Sequence, residues 1–248
     1  MVKEKQGKRL RLSRINKRLF WNHLDAMYSI PLIRSISPYT MLSFTALYQV
    51  RKHLETLAKE RIAGAIVEMG CWKGGCGAFM ARVSECDGME RGVWLFDSFE
   101  GLPQLTTEDT EWAKKLEVTT VPAFAESSIR PIGLYKASET DAREALIASG
   151  YAHVERVHLV KGWFQDSVPR TQNDLGPIAL LRLDGDTYES TKYCLEKLYG
   201  QVVSGGFVVI DDFNLQGCRQ ALFEFFATHQ KYPEIRLFPY GGRLYWRK

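Results

Sequence analysis

The sequence has few of the features that mark secreted, fibrous or membrane-spanning proteins. It contains five cysteines, an odd number without a Cys-x-x-Cys pair, which argues against a disulfide framework or a zinc knuckle. With 9 prolines and 20 glycines, it is neither collagen-like nor of low complexity. No stretch approaches the roughly 18 apolar residues of a membrane span. The 248 residues, 45% of them apolar, therefore suit one large α/β domain with reduced thiols, and we expect a cytoplasmic protein.

Acidic residues are scarce at the N-terminus, which carries the positive charge of the chain. Residues 1–18 hold eight of the 33 basic residues but one of the 29 acidic ones, so the rest of the chain is net negative. This distribution gives no support for a nucleic-acid partner. Leu12, Ile15 and Leu19 recur at helical spacing among the basic residues. They predict either a helix on an anionic membrane or, as we prefer, a basic tail that leads into a packed helix.

Short apolar runs alternate with helical patterns along most of the chain. Several runs are apolar throughout, which is typical of parallel strands covered on both faces. The strand-like runs are residues 65–69, 92–96, 156–160, 177–183 and 206–210. Helices are predicted from Thr40 to Arg61 and over Ser138–Ser149, the latter with a capping box. The C-terminus reads as a hairpin around Gly241-Gly242. The pattern predicts a mostly parallel sheet with an antiparallel edge.

Three successive predicted strands end in residues that suit a nucleoside. The first runs into a glycine-rich turn, Glu68 to Gly75, of the form E-x-G-x-x-x-G. Asp97 ends the second strand, where it could accept ribose hydroxyls or simply cap the next turn. Residues 162–164, Gly-Trp-Phe, end the third and could cradle an adenine ring. The long connection over residues 97–137 is predicted to be a lid or binding loop.

Two further strands end abruptly in carboxylates. One runs into Asp184-Gly185-Asp186 and the other into Asp211-Asp212. If the strands are neighbours, these carboxylates repel one another unless a cation joins them, and an all-oxygen ligand set suits Mg²⁺ or Mn²⁺. We assign Asp184, Asp211 and Asp212 to a metal site and expect Asp186 to cap the following helix. The same Asp-Gly-Asp could instead be the metal motif of a nucleotide-sugar glycosyltransferase.

Five motifs together resemble the TylF/MycF (macrocin O-methyltransferase) family. They are IVEMGCWKGG, WLFDSFEGLP, LVKGWFQDSVP, LRLDGDTYEST and GGFVVIDDF, and the resemblance covers residues 38–248. It implies an α/β class I S-adenosylmethionine (SAM)-dependent methyltransferase fold, with a seven-stranded, mostly parallel sheet, a C-terminal antiparallel hairpin and an N-terminal helical lid. Residues 1–37 would form the basic tail and lid helices. The implied activity is Mg²⁺-dependent O-methylation, mostly of sugar hydroxyls.

The resemblance also implies a role for each matching residue. Asp184 would act as the base, contact the cofactor and share the metal with Asp211 and Asp212. The other cofactor contacts would be Thr40 and Met41 over the cofactor, Glu68, Gly70 and Gly74 at its methionine end, Asp97 and Ser98 at the ribose, and Gly162, Trp163 and Phe164 around the adenine.

Three alternatives remain beside sugar methylation. A catechol-type phenol has two neighbouring hydroxyls that chelate a metal as well as a sugar does. The second alternative is a metal-dependent glycosyltransferase, an enzyme of another class. The third is a SAM-binding protein without catalytic activity. We expect a small-molecule or glycan substrate and a homo-oligomer, most simply a dimer.

Overall fold

A computed structural model describes residues 29–85, 87–122, 129–229, 232–238 and 242–248. They contain one seven-stranded sheet of order β3-β2-β1-β4-β5-β7-β6. The strands are β1 (Ala65–Met69), β2 (Val93–Asp97), β3 (Val157–Lys161), β4 (Ile178–Leu183), β5 (Val202–Ile210), β6 (Arg236–Leu237) and β7 (Leu244–Arg247). Strands β1 to β5 pair in parallel and β7 runs antiparallel to both β5 and β6. The predicted sheet and its antiparallel edge are confirmed.

Eight α-helices are present among the described residues. They are α1 (residues 29–36), α2 (Phe44–Lys59), α3 (Gly75–Ser84), α4 (Thr110–Leu116), α5 (Glu139–Ser149), α6 (Phe164–Leu175), α7 (Tyr188–Leu198) and α8 (Gln216–His229). The capping box predicted for α5 is present between Ser138 and Asp141. Helix α2 begins four residues later than predicted, because Ser43 is its N-cap and Thr40 is extended.

The sheet is covered on both faces, which explains the unbroken apolar runs. One face packs against α2, α3 and α5 through residues such as Ile66, Leu180 and Val209. The other face packs against α6, α7 and α8 through residues such as Val67 and Leu181. Successive residues of the central strands therefore alternate between two cores, whereas β3, at the edge of the sheet, exposes His158 and Lys161.

The strand order reverses between β1 and β4. From β1 the chain moves outwards to β2 and β3, then crosses to β4 and β5 on the other side of β1. Open α/β sheets bind ligands beyond the carboxyl ends of the strands at such a switch point. The fold alone therefore places a site where β1 and β4 end.

The long insertion after β2 is partly docked onto the fold. Leu105 and Asp109 are buried, and the Asp109 carboxylate accepts a hydrogen bond from the backbone N–H of Tyr188 (2.9 Å) at the start of α7. The N–H of Leu102 donates to the carbonyl of Leu134 (2.9 Å), which ties the two ends of the insertion together. Residues 123–128 lie outside the described residues, and the opening of a lid here stays a prediction.

The N-terminal predictions fall largely on residues outside the described part. Residues 1–28, with the basic tail and the possible membrane-surface helix, belong to that group. Helix α1 is packed onto the core, since Ser29 and Ile36 are buried. Among the described residues, no helix has the length and apolar character needed to cross a bilayer.

Candidate active site

A cavity of about 230 Å³ opens at the carboxyl edge of the parallel strands. Most of the residues predicted for the site line it. These are Thr40, Met41, Glu68, Gly70, Asp97, Ser98, Trp163, Phe164, Asp184, Asp211 and Asp212. The sheet thus brings the proposed nucleoside residues and the acidic residues into one cavity at the switch point.

Two predicted cofactor glycines are not among the described residues that line this cavity. Gly74 lies at the N-terminus of α3, and a Cβ there would lie 2.9 Å from the Cβ of Ala142, so it lets α3 pack against α5. The N–H of Gly162 donates to the carbonyl of Asp97 (3.0 Å) and fixes the turn after β3. Both glycines shape the turns that carry the lining residues.

Gly70 is required by the approach of β4 to the end of β1. It adopts a φ of 92°, and a Cβ at this position would lie 1.9 Å from the carbonyl oxygen of Asp184. The Asp184 N–H in turn donates to the carbonyl of Met69 (2.8 Å). Gly70 therefore seats the backbone of Asp184, whatever else it contacts.

Asp97 ties together the turns after β1 and β2. One carboxylate oxygen accepts from the N–H of Trp72 and the other from the N–H of Phe99, both at 2.8 Å. Trp72 and Phe99 have φ values of 49° and 55°, a strained conformation for such side chains. Burial raises the pKa of Asp97, and the backbone hydrogen bonds oppose this rise. Asp97 thus caps turns, as one reading predicted, while it also lines the cavity.

The remaining nucleoside candidates lie around the same opening. The Ser98 hydroxyl donates to the carbonyl of Gly101 (3.0 Å) and accepts from the N–H of Glu100 (3.1 Å). Trp163 caps α6 and Phe164 begins it, with 9% of Phe164 exposed. Met41, which also lines the cavity, is 63% exposed.

The three predicted metal ligands converge. Asp184, Asp211 and Asp212 each offer an oxygen, and these atoms lie within 4.8 Å of one another. Burial, then repulsion from neighbouring carboxylates, raises the pKa of Asp212 well above its ordinary value. The pKa of Asp184 is likewise raised, with Arg182 opposing burial. Burial also acts on Asp211, but Arg182 and Arg243 hold its pKa below the ordinary range.

This donor set fits a hard divalent cation. The converging atoms are carboxylate oxygens, which Mg²⁺ and Mn²⁺ prefer. Burial and mutual repulsion disfavour the ionised forms of Asp184 and Asp212, and a cation between them would reverse that effect.

The expectation that Asp186 caps α7 is wrong. Thr187 is the N-cap, and its hydroxyl accepts from the N–H of Ser190 (3.2 Å). Asp186 instead lines the cavity with a φ of 59°, and its N–H donates to Asp212 (3.2 Å). Burial, then the charge of Asp211, raises the pKa of Asp186 to about 7. The residue faces the site because Thr187 is one position closer to the helix.

Two arginines that the sequence analysis did not predict form hydrogen bonds with the carboxylates at the acidic end of the cavity. Arg182, 1% exposed, donates to Glu68 (2.6 Å), Asp184 (2.6 Å) and Asp211 (2.5 Å). Arg243 donates to Asp211 (2.8 Å) from the loop before β7. The available signal for Arg182 was a charged residue in the middle of an otherwise apolar strand.

The sheet order, the cavity at its switch point and the acid-lined strand ends define a class I methyltransferase fold. A sequence model of the macrocin O-methyltransferase (TylF) family matches residues 34–248. The chain belongs to this family and is an O-methyltransferase.

Similar proteins of known name agree with this assignment. The chain is 31% identical to an 8-demethyl-8-(2,3-dimethoxy-alpha-L-rhamnosyl)-tetracenomycin-C 4'-O-methyltransferase of Streptomyces olivaceus, over 75% of this chain and 67% of that one. It is 28% identical to mycinamicin III 3''-O-methyltransferase of Micromonospora griseorubida, over 85% and 78%. The structure of the O-methyltransferase NovP superposes with a TM-score of 0.71 at 28% identity, over 85% of this chain and 82% of that one.

Proposed function

We propose that this chain transfers the methyl group of SAM to a hydroxyl of a sugar unit, with a divalent cation held by Asp184, Asp211 and Asp212. The observation that carries the proposal is the convergence of these three carboxylates in the same cavity as Asp97 and Trp163. A nucleoside at one end and a cation at the other leave room between them for a hydroxyl that reacts.

The residues of β1 to β3 would hold the cofactor. Bound SAM supplies an electrophilic methyl group on its sulfonium. Asp97 keeps lone pairs for the ribose hydroxyls, because each of its oxygens accepts one backbone N–H. Glu68 places a carboxylate near the end of β1, which suits the amino group of the methionine part. Trp163 and Phe164 provide flat surfaces for the adenine.

The residues of β4 and β5 would hold the cation and activate the acceptor. A bound divalent cation would lower the pKa of a hydroxyl oxygen that it contacts. Asp184 would accept the hydroxyl proton while the hydroxyl oxygen takes the methyl group. Asp184 is placed for this role because its carboxylate belongs to the cluster that would hold the cation beside the acceptor hydroxyl.

A sugar acceptor is supported by the names of the relatives. One is named for a rhamnosyl-bearing tetracenomycin, at 31% identity. A catechol-type phenol would use the same metal chemistry, and side-by-side assays with both acceptor classes separate the two. Family membership favours methyl transfer over sugar transfer. Stabilisation by S-adenosylhomocysteine, and none by UDP or GDP, is the expected thermal-shift result.

The metal part of the proposal predicts that Asp212→Asn lowers methyl transfer by at least about 100-fold. The change keeps the shape of the side chain but removes a charge from the cluster, and S-adenosylhomocysteine affinity should stay nearly unchanged. Mn²⁺ binding is measured by electron paramagnetic resonance and cofactor binding by calorimetry. Asp166→Asn, on the exposed first turn of α6, is the matched control. Full turnover in EDTA, or full activity of Asp212→Asn, would show that no metal is needed.

A further inference from the structure

Arg182 is a charged residue at the centre of the sheet. It lies on β4 between β1 and β5, and its side chain is 1% exposed. A guanidinium in such a place persists only when its charge is paired. Arg182 meets this condition with three carboxylates, Glu68, Asp184 and Asp211, which come from the ends of three adjacent strands.

The strand register places these four side chains on one face. Glu68 and Arg182 are directly opposite each other in the pairing of β1 with β4. Asp184 follows Arg182 by two residues, and Asp211 follows Val209, the register partner of Arg182 on β5, by two residues. Because side chains two positions apart share a face, pleat and register alone bring the carboxylates around the guanidinium.

The hydrogen bonds of Arg182 select one oxygen of each carboxylate. Its Nη1 donates to Oε1 of Glu68 and to Oδ2 of Asp184, and its Nη2 donates to Oδ1 of Asp211. The guanidinium makes no hydrogen bond to the second oxygen of any of the three carboxylates. Arg243 reinforces the arrangement, since its Nε donates to the same Oδ1 of Asp211.

We propose that Arg182 is a positioning residue shared by the cofactor half and the metal half of the site. It fixes the carboxylate of Glu68 for the cofactor and those of Asp184 and Asp211 for the cation. This inference rests on the proposed function, because it assigns both ligands to the one cavity. Arg182 touches neither ligand and acts through the three carboxylates.

Arg182 holds the three carboxylates through its two Nη atoms, whose directions are fixed by the planar guanidinium. The guanidinium presents five N–H donors in fixed directions, whereas an ammonium is a compact charge on a flexible stem. Arg182→Lys therefore keeps the positive charge and removes the geometry. Loss of a partner that orients metal ligands typically weakens metal binding about 10- to 100-fold.

The test measures Mn²⁺ binding and S-adenosylhomocysteine binding separately, each ligand alone, at a temperature where circular dichroism shows a folded protein. We expect Arg182→Lys to weaken both affinities at least about tenfold. The control is Arg91→Lys. Arg91 is also buried and pairs with Asp87 (2.6 Å), but it lies before β2, away from the cavity. We expect Arg91→Lys to be less stable than the wild type but to bind Mn²⁺ and S-adenosylhomocysteine with unchanged affinity. Unchanged affinities in Arg182→Lys, or the loss of only one, would overturn the shared role.

Glu68→Gln decides the matter if Arg182→Lys does not fold. This variant keeps the volume of the side chain and weakens the hydrogen bond between Arg182 and residue 68. Glu68 is not one of the three clustered aspartates, so the change does not remove a proposed metal ligand. We expect Mn²⁺ affinity, measured without any cofactor, to fall about tenfold. Unchanged Mn²⁺ affinity would overturn the inference. A wild-type protein that binds neither probe would overturn the proposed function as well, which separates the two failures.

Discussion

Replacing Gly70 with alanine should damage the fold and the acidic cluster together. The added Cβ would lie 1.9 Å from the carbonyl oxygen of Asp184 and 2.7 Å from its carbonyl carbon. Both atoms belong to the backbone at the end of β4, so no side-chain rotation relieves the contact. Ordinary van der Waals contacts of a Cβ lie at 3.4–4 Å, and contacts below 3.0 Å essentially never occur. The end of β1 or of β4 must therefore move by about an ångström, and Asp184 moves with it.

The magnitude follows from comparison with Gly150→Ala. Gly150 ends α5 with a φ of 70°, and a Cβ there meets nothing within 4 Å. Its replacement carries only the conformational strain of a left-handed residue, about 1–2 kcal/mol. Gly70→Ala, at a φ of 92°, carries that strain and an overpacking cost of about 1–3 kcal/mol. We expect the unfolding free energy of Gly70→Ala to be lower than that of Gly150→Ala by this overpacking cost, about 1–3 kcal/mol.

Urea unfolding of both variants and the wild type measures this difference, with Mn²⁺ affinity as a second readout. Gly70→Ala should also bind Mn²⁺ more weakly, because its backbone shift displaces one carboxylate of the cluster. Gly150→Ala should bind it like the wild type. Equal stability losses with unchanged Mn²⁺ binding would show that Gly70 does not seat Asp184. The sequence suggested that this glycine clears space for a ligand, whereas the contact shows that it first clears space for β4.

Two further predictions concern buried aspartates. Asp97→Ala removes two hydrogen bonds to a carboxylate, each worth about 1.5–3 kcal/mol. Both the unfolding free energy and the affinity for S-adenosylhomocysteine should therefore fall. A variant that loses only affinity would contradict the turn-capping role. Burial raises the pKa of Asp109 from 3.8 to about 6, so its ionisation opposes folding. The wild type should lose up to about 3 kcal/mol relative to Asp109→Asn between pH 4 and pH 7, measured by urea unfolding at each pH. A pH-independent difference would refute this assignment.

The fold was predictable because its strands are buried on both faces. Runs such as residues 65–69 coincide with strands because all their side chains are buried, Glu68 included. The N-terminal part of β5 was missed: the strand begins at Val202, and Ser204, Gly205 and Gly206 break its apolar pattern. Helix α2 was predicted too long at its N-terminal end. Residues 40–43 are compatible with a helix locally, but Thr40 and Ser43 are extended and residues 40–42 line the cavity instead.

The acidic residues of the site were predictable because they stand where strands end. That position is visible in sequence as an abrupt change from apolar to carboxylate, as at Asp184 and Asp211. Arg182 gave a weaker signal, because one charge inside an apolar run carries no information about its partners. Only the register of β1, β4 and β5 shows that it faces Glu68. Asp186 was misassigned because two adjacent residues, Asp186 and Thr187, can both cap a helix.

The charge balance of the site supports the proposed binding of a ligand of opposite sign. Five carboxylates line this part of the cavity: Glu68, Asp184, Asp186, Asp211 and Asp212. Arg182 and Arg243 compensate part of this negative charge. Both donate hydrogen bonds to Asp211, the one carboxyl of the cluster with a lowered pKa. Asp184 and Asp212 keep raised pKa values because burial and neighbouring acids outweigh these two cations. The uncompensated carboxylates are what a divalent cation, together with the positive sulfonium and ammonium of SAM, would complement.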